Sequence, residues 1–120
     1  MSLSASSVIV SGGGVRSVNQ AYTAKEASEI PEGFAKVCRG QGWDTKSTWE
    51  KLNKGKSWYG AENGAYIYLN EMDGKWWIDA PSGEGVYIAK GDGSPSPVLS
   101  GWTPLDPSYA PVPTLTDTCS

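Results

Sequence analysis

The chain has 120 residues, enough for one domain and too few for two independent cores. Its net charge of −3 and isoelectric point near 4.8 withhold the basic footprint that general nucleic-acid binding requires. Fifteen glycines, eight prolines and six tryptophans, against a charged content of 19%, describe a turn-rich β protein whose core is built from a few large rings.

In chain order, "MSLSASSVIV" lacks a basic n-region and has too short an apolar run for a secretory signal. No stretch approaches the ~20 apolar residues of a membrane span. The expectation is a cytoplasmic chain without a membrane partner. "SSVIVSGGGV" reads as a first strand running into a glycine turn. Residues 23–46 then break the β pattern. "TAKEASEI" begins with a possible capping box, and "PEGFAKVCRG" places Pro31 at a plausible first helical position with Gly40 behind it, so a short helical insert is expected here. Residues 47–54 read as a strand. The alternative is a short helix, because Ser47 and Glu50 resemble a capping box ahead of Gly55.

From there the punctuation is regular: "NKGK", "ENG", "MDG" and "PSGEG" separate "SWYGA", "AYIYLNE", "KWWIDA" and "VYIAK". Asn63-Gly64 and Asp73-Gly74 are strong hairpin signals, since a type I′ turn needs positive φ at both central residues. Short strands so spaced predict an antiparallel meander. After Gly91, "GDGSPSPVLSGWTPLDPSYAPVPTL" is too rich in proline for central strands and favours extended chain. The fold class expected is all-β: a small antiparallel meander of about five to seven short strands, as a sheet or partly open barrel. It carries a helical insert at 23–46 and an extended proline-rich C-terminal tail. A single domain covers 1–120, with its compact core at about 7–103 and the tail at 104–120.

Side chains alternate along strands, so the turns assign faces. Two-residue turns place Leu69 opposite Ile78, Trp58 opposite Leu69 and Tyr59 opposite Tyr68. One face then carries Trp58, Ile67, Leu69, Trp76 and Ile78, an apolar core surface. The other carries Tyr59, Tyr66, Tyr68, Trp77 and Asp79. A four-residue loop keeps these faces, whereas a three-residue loop with a bulge flips one strand. The second face is either covered, by residues 23–47, the N-terminal strand or the tail, or partly open as an aromatic binding platform.

The order "SGGGVRSVNQAY", "GAYIYLN", "WWID", "GVYIA", "SP", "GW", "PVPTL" resembles a short β repeat of unknown function found in large multidomain proteins of algae and other unicellular eukaryotes. The likeness runs from about Val8 to Leu115. Gln20 stands where that pattern has glycine, and the 23–46 insert is longer than usual. The resemblance implies a compact module joined to signalling or ubiquitin-type domains, and it brings no catalytic residues.

Chemistry is sparse. The chain has no histidine, which removes histidine-based triads, Cys-His pairs and imidazole metal sites. Cys38 and Cys119 lack metal-ligand spacing, and free cytosolic thiols are expected. "SGGGVRSVN" lacks the phosphate-loop spacing and reads as a tight turn. Glu71, Asp73 and Asp79 lie near one hairpin beside Trp76 and Trp77, where paired acids could serve glycoside chemistry, but Asp73 serves a turn and the other two point to opposite faces. Asn70, Glu71 and Asp73 fall short of a calcium loop. Lys51, Lys54 and Lys56 form a solvated loop tip. Ser94-Pro95 and Ser96-Pro97 lie in a loop where phosphate could be accepted. The expectation is therefore a non-catalytic interaction module that needs no cofactor or metal. It binds a protein or peptide through Tyr59, Tyr66, Tyr68, Trp77 and Asp79. The alternative is a carbohydrate-binding module stacking sugars on Trp77 beside Asp79 and Tyr68.

Overall fold

The computed structural model describes residues 7–93 and 96–117. Cys119 and the Ser94-Pro95 pair, with the expectations attached to them, lie outside the described residues. Eight antiparallel strands form one sheet curled into a half-barrel. They are β1 (Ser7–Ser11), β2 (Ala21–Lys25), β3 (Trp58–Ala61), β4 (Tyr66–Asn70), β5 (Lys75–Asp79), β6 (Gly85–Lys90), β7 (Thr103–Pro104) and β8 (Thr114–Asp117). Helices α1 (Glu32–Gln41) and α2 (Thr45–Asn53) lie between β2 and β3 in the chain. The order across the sheet is β7-β6-β5-β4-β3-β2-β1-β8, so the chain meanders from β1 to β7 and returns to lay β8 beside β1.

The all-β meander expected from the turns is present, with eight strands where five to seven were expected. The additional strands come from the proline-rich segment, which is woven into the sheet. Proline cannot donate to a ladder, and Pro104 sits on the edge strand β7, where one side needs no donor. Beyond Pro113, β8 pairs with β1 in the register Val10↔Leu115, and Leu115 donates its outward N–H to the Leu99 carbonyl at 3.0 Å.

The strand expected at 47–54 is a helix. Asp44 caps α2: its carboxylate accepts from both the N–H (2.9 Å) and the hydroxyl (2.6 Å) of Ser47. Trp49 and Leu52, one helical turn apart, then share the face turned to the sheet. α1 starts at Glu32 with Pro31 as its N-cap, one position earlier than the first helical position expected for that proline, and it runs through Gly40 to Gly42, whose φ of 76° gives the left-handed C-cap.

The hairpins keep one expected pair of faces and reverse one strand. β4 and β5 pair with Leu69 opposite Trp76 and Ile67 opposite Ile78, which makes residues 71–74 a four-residue loop and preserves parity. β3 and β4 pair with Tyr59 opposite Ile67 around a three-residue loop, in which Gly64 has a φ of 99°. Ala61 N–H bonds the Ala65 carbonyl at 2.8 Å to close it. One residue of loop length flips β3, so Trp58 and Tyr59 exchange the faces expected for them.

The inner face is the main core. Val8, Val10, Tyr22, Tyr59, Ile67, Trp76, Ile78, Tyr87 and Ala89 pack together from β1 to β6, joined by Trp102 and Leu115 from the C-terminal segment. The half-barrel is drawn closed by the Tyr87 hydroxyl, which accepts from Val15 N–H (3.0 Å) and donates to the Tyr109 carbonyl (2.7 Å). Trp76 is 1% exposed in this core, whereas its neighbour Trp77 looks outward and is half-buried. Trp76→Ala should therefore cost about 3–5 kcal/mol through the cavity it leaves. Trp77→Ala should cost clearly less. Denaturant melts of the two variants check this, and equal penalties would contradict the assignment of faces.

Candidate functional site

The outer face of β3–β5 is where a recognition surface was expected. The helices lie over it. Trp58, Tyr66 and Tyr68 from the sheet meet Phe34 and Cys38 from α1 and Trp49 from α2 in a second core. Its rings pack mostly edge to face: Phe34–Trp49 centroids are 5.0 Å apart, Trp49–Trp58 6.0 Å and Trp58–Tyr66 6.3 Å. Indole N–H groups pin the chain that leads into α1. Trp58 donates to the carbonyls of Glu26 (3.0 Å) and Glu29 (2.9 Å), and Trp49 donates to that of Ala27 (3.0 Å).

Of the two alternatives for this face, the covered one holds over Tyr66 and Tyr68, and the cover is the 26–53 segment. Tyr66 is 0%, Tyr68 5% and Asp79 4% exposed, the two tyrosines beneath the helical layer. Tyr59 is 0% exposed in the inner core, because β3 is flipped. Trp77 alone of the five keeps a half-exposed ring. Its indole N–H bonds Asp73 Oδ2 at 3.0 Å, and the ring edge crosses Gly85, where a Cβ would lie 2.7 Å from the indole.

The five residues are therefore split by the sheet. Tyr66, Tyr68 and Asp79 remain together, and they make an unusual group. Asp79 stands directly across β4–β5 from Tyr66, at a register irregularity that sets Asp79 opposite Gly85 on β6. The Tyr66 phenol is near enough to ease the carboxylate's burial, yet neither Tyr66 OH nor Asp79 Oδ1 has a hydrogen bond of normal geometry. Burial dominates and pushes the Asp79 carboxyl up to about 7. Burial, followed by the Asp79 charge, pushes the Tyr66 and Tyr68 phenols well above the ordinary tyrosine range. The carboxyl and the two phenols are thus buried together, with Asp79 only 4% exposed.

What remains open lies at the rim of the helical layer. Trp43, in the α1–α2 corner, is 54% exposed, and Met72, in the β4–β5 turn, is 66% exposed. With Leu52, Thr48 and Lys51 they line an apolar groove of about 380 Å³. A second cleft of about 420 Å³ lies between residues 27–30 and α2, lined by Ala27, Ser28, Ile30, Lys46, Trp49 and Glu50. Sequence reasoning missed Trp43 and Met72. The available signal was two large apolar side chains placed at turns, where polar residues are usual. Of the lysine cluster, Lys51 lines the groove and Lys56 approaches Glu71 at 3.8 Å.

Among the described residues no group of three or more His, Cys, Asp or Glu side chains is placed to hold a metal ion. No helix among them is long and apolar enough to cross a membrane. Cys38 is a buried free thiol, raised above its ordinary value chiefly by burial. Comparison with protein-family models, with curated proteins and with solved structures finds no match.

Two experiments check this layer. A Cβ on Gly33 would meet the Pro81 carbonyl oxygen at 2.7 Å and the Tyr66 ring at 3.0 Å, whereas Gly40 in the same helix has open space. Gly33→Ala should destabilise by about 1–3 kcal/mol, and Gly40→Ala should stabilise by about 0.5–1 kcal/mol, both read by denaturant melts. Asp79 binds its proton more tightly folded than unfolded, so it contributes full stability below about pH 4. That contribution declines as pH rises to about 7 and is flat beyond. Asp79→Asn, a neutral isostere, should match the natural protein near pH 4 and exceed it by about 2–4 kcal/mol at pH 8. Parallel pH profiles would contradict the burial of an uncompensated carboxyl.

Proposed function

We propose that this chain is a non-catalytic interaction module that recognises a protein or peptide segment at the Trp43–Leu52–Met72 groove. The observation that carries this reading is the exposure of Trp43 and Met72 beside each other, in a fold that buries one aromatic cluster inside the half-barrel and the other under two helices. Large apolar side chains converging at a rim are what an anchor side chain of a partner fills. Lys51 is the one charged residue in the lining and takes no ion pair among the described residues. The occupant that fits is an apolar anchor with a carboxylate beside it. The resemblance to an algal β repeat accords with such a module, and a cytosolic setting accords with the free Cys38 thiol.

The carbohydrate reading has less to stand on. It requires Tyr68 and Asp79 beside an open Trp77, and both are buried.

Panning a randomised peptide display library against the protein tests the proposal. The expected result is enrichment of peptides with an aromatic or aliphatic anchor next to Asp or Glu. Their binding should weaken at least tenfold with Trp43→Ser and severalfold with Lys51→Ala, with melting temperatures unchanged. Enriched peptides that bind Trp43→Ser equally well, or a tryptophan fluorescence response to oligosaccharides alone, would overturn it.

A further inference from the structure

The buried carboxyl is the feature that the proposed groove leaves unused. Asp79 Oδ1 and the Tyr66 hydroxyl face one another inside the second core without normal hydrogen bonds. The titratable groups around Asp79 bring no positive charge. β4 contributes Tyr66 and Tyr68, with Asp73 acting on Tyr68 from the turn beyond. β2 contributes Tyr22, and α1 contributes Cys38, which acts on both β4 tyrosines. β6 contributes Gly85, without charge. Among the described residues no lysine or arginine forms an ion pair with Asp79.

α1 packs over the carboxyl's cross-strand neighbour, Tyr66. Gly33 lies on the Tyr66 ring and on the 81–83 backbone, which follows Asp79 directly. The helices share no strand ladder with the sheet. They hold by ring packing, by the indole N–H bonds of Trp49 and Trp58, and by Glu71 N–H to the Leu52 carbonyl at 2.7 Å. Such a layer can lift while the ladders stay intact.

We infer that Asp79 is a proton-operated latch: its protonated form lets the α1–α2 layer lie closed on the sheet, and its ionisation favours lifting of that layer from the aromatic face of Trp58, Tyr66 and Tyr68. The neutral carboxyl tolerates the closed core, whereas the carboxylate gains hydration only when the layer opens. Opening therefore becomes easier as pH rises from the ordinary carboxylate range to about 7, and then levels.

Hydrogen exchange followed by NMR on the whole chain tests the latch. The reporters are the α1 and α2 amides and the indole N–H groups of Trp49 and Trp58. The reference is the ladder amides of β4 and β5. Once intrinsic exchange rates are divided out, the reporters should be less protected than the ladder at every pH. Their protection should fall by up to about tenfold per pH unit between about pH 4 and 7 and then hold. In Asp79→Asn it should be independent of pH. Equal protection of reporters and ladder would show only global opening and overturn the latch. So would a flat profile in the natural protein, or an unchanged slope in Asp79→Asn. The natural protein's own profile decides the matter even if the variant folds poorly.

Discussion

The structure depends on one constraint: the outer face of β3–β5 is too apolar to meet water, so the 26–53 segment must lie on it. Trp58, Tyr66 and Tyr68 present three rings on adjoining strands, and Phe34, Cys38 and Trp49 complete the layer. The sheet thereby separates two cores of different character. The inner one mixes valines, isoleucines and rings and is closed by the C-terminal segment. The outer one is almost wholly aromatic and encloses a carboxyl. Rings suit a layer this thin, because each removes on the order of 150–250 Å² from water and few side chains are available.

The C-terminal segment has the corresponding part on the inner side. Trp102 donates its indole N–H to the Val98 carbonyl at 3.0 Å and buries its ring beside Leu115. Proline limits the ladder to short edge strands while leaving carbonyls and apolar surface to use. The segment is therefore part of the half-barrel wall.

Much of this was legible in the residues. Asn63-Gly64 and Asp73-Gly74 do close hairpins, and Trp76 and Trp77 do look in opposite directions. The reversal at Trp58 and Tyr59 turned on one residue of loop length, which the pair Asn-Gly does not specify. The residues offer the helix at 45–53 only as the alternative to a strand, and its cap is Asp44, three positions before the Ser47 of that reading. The closure of the outer face was open in principle: an insert of the right length precedes β3, but nothing local says where it docks. Burial removed Tyr66, Tyr68 and Asp79 from the surface, whereas Trp43 and Met72 stay exposed at the rim.

The chain's six tryptophans allow the central claim, a sheet covered on both faces, to be read in one measurement. A soluble paramagnetic agent broadens each indole N–H resonance according to its distance from solvent. The account predicts strong broadening of Trp43, an intermediate effect on Trp77, and little effect on Trp49, Trp58, Trp76 and Trp102. Broadening of Trp49 and Trp58 as strong as that of Trp43 would mean that the helices do not cover the sheet, and would contradict it.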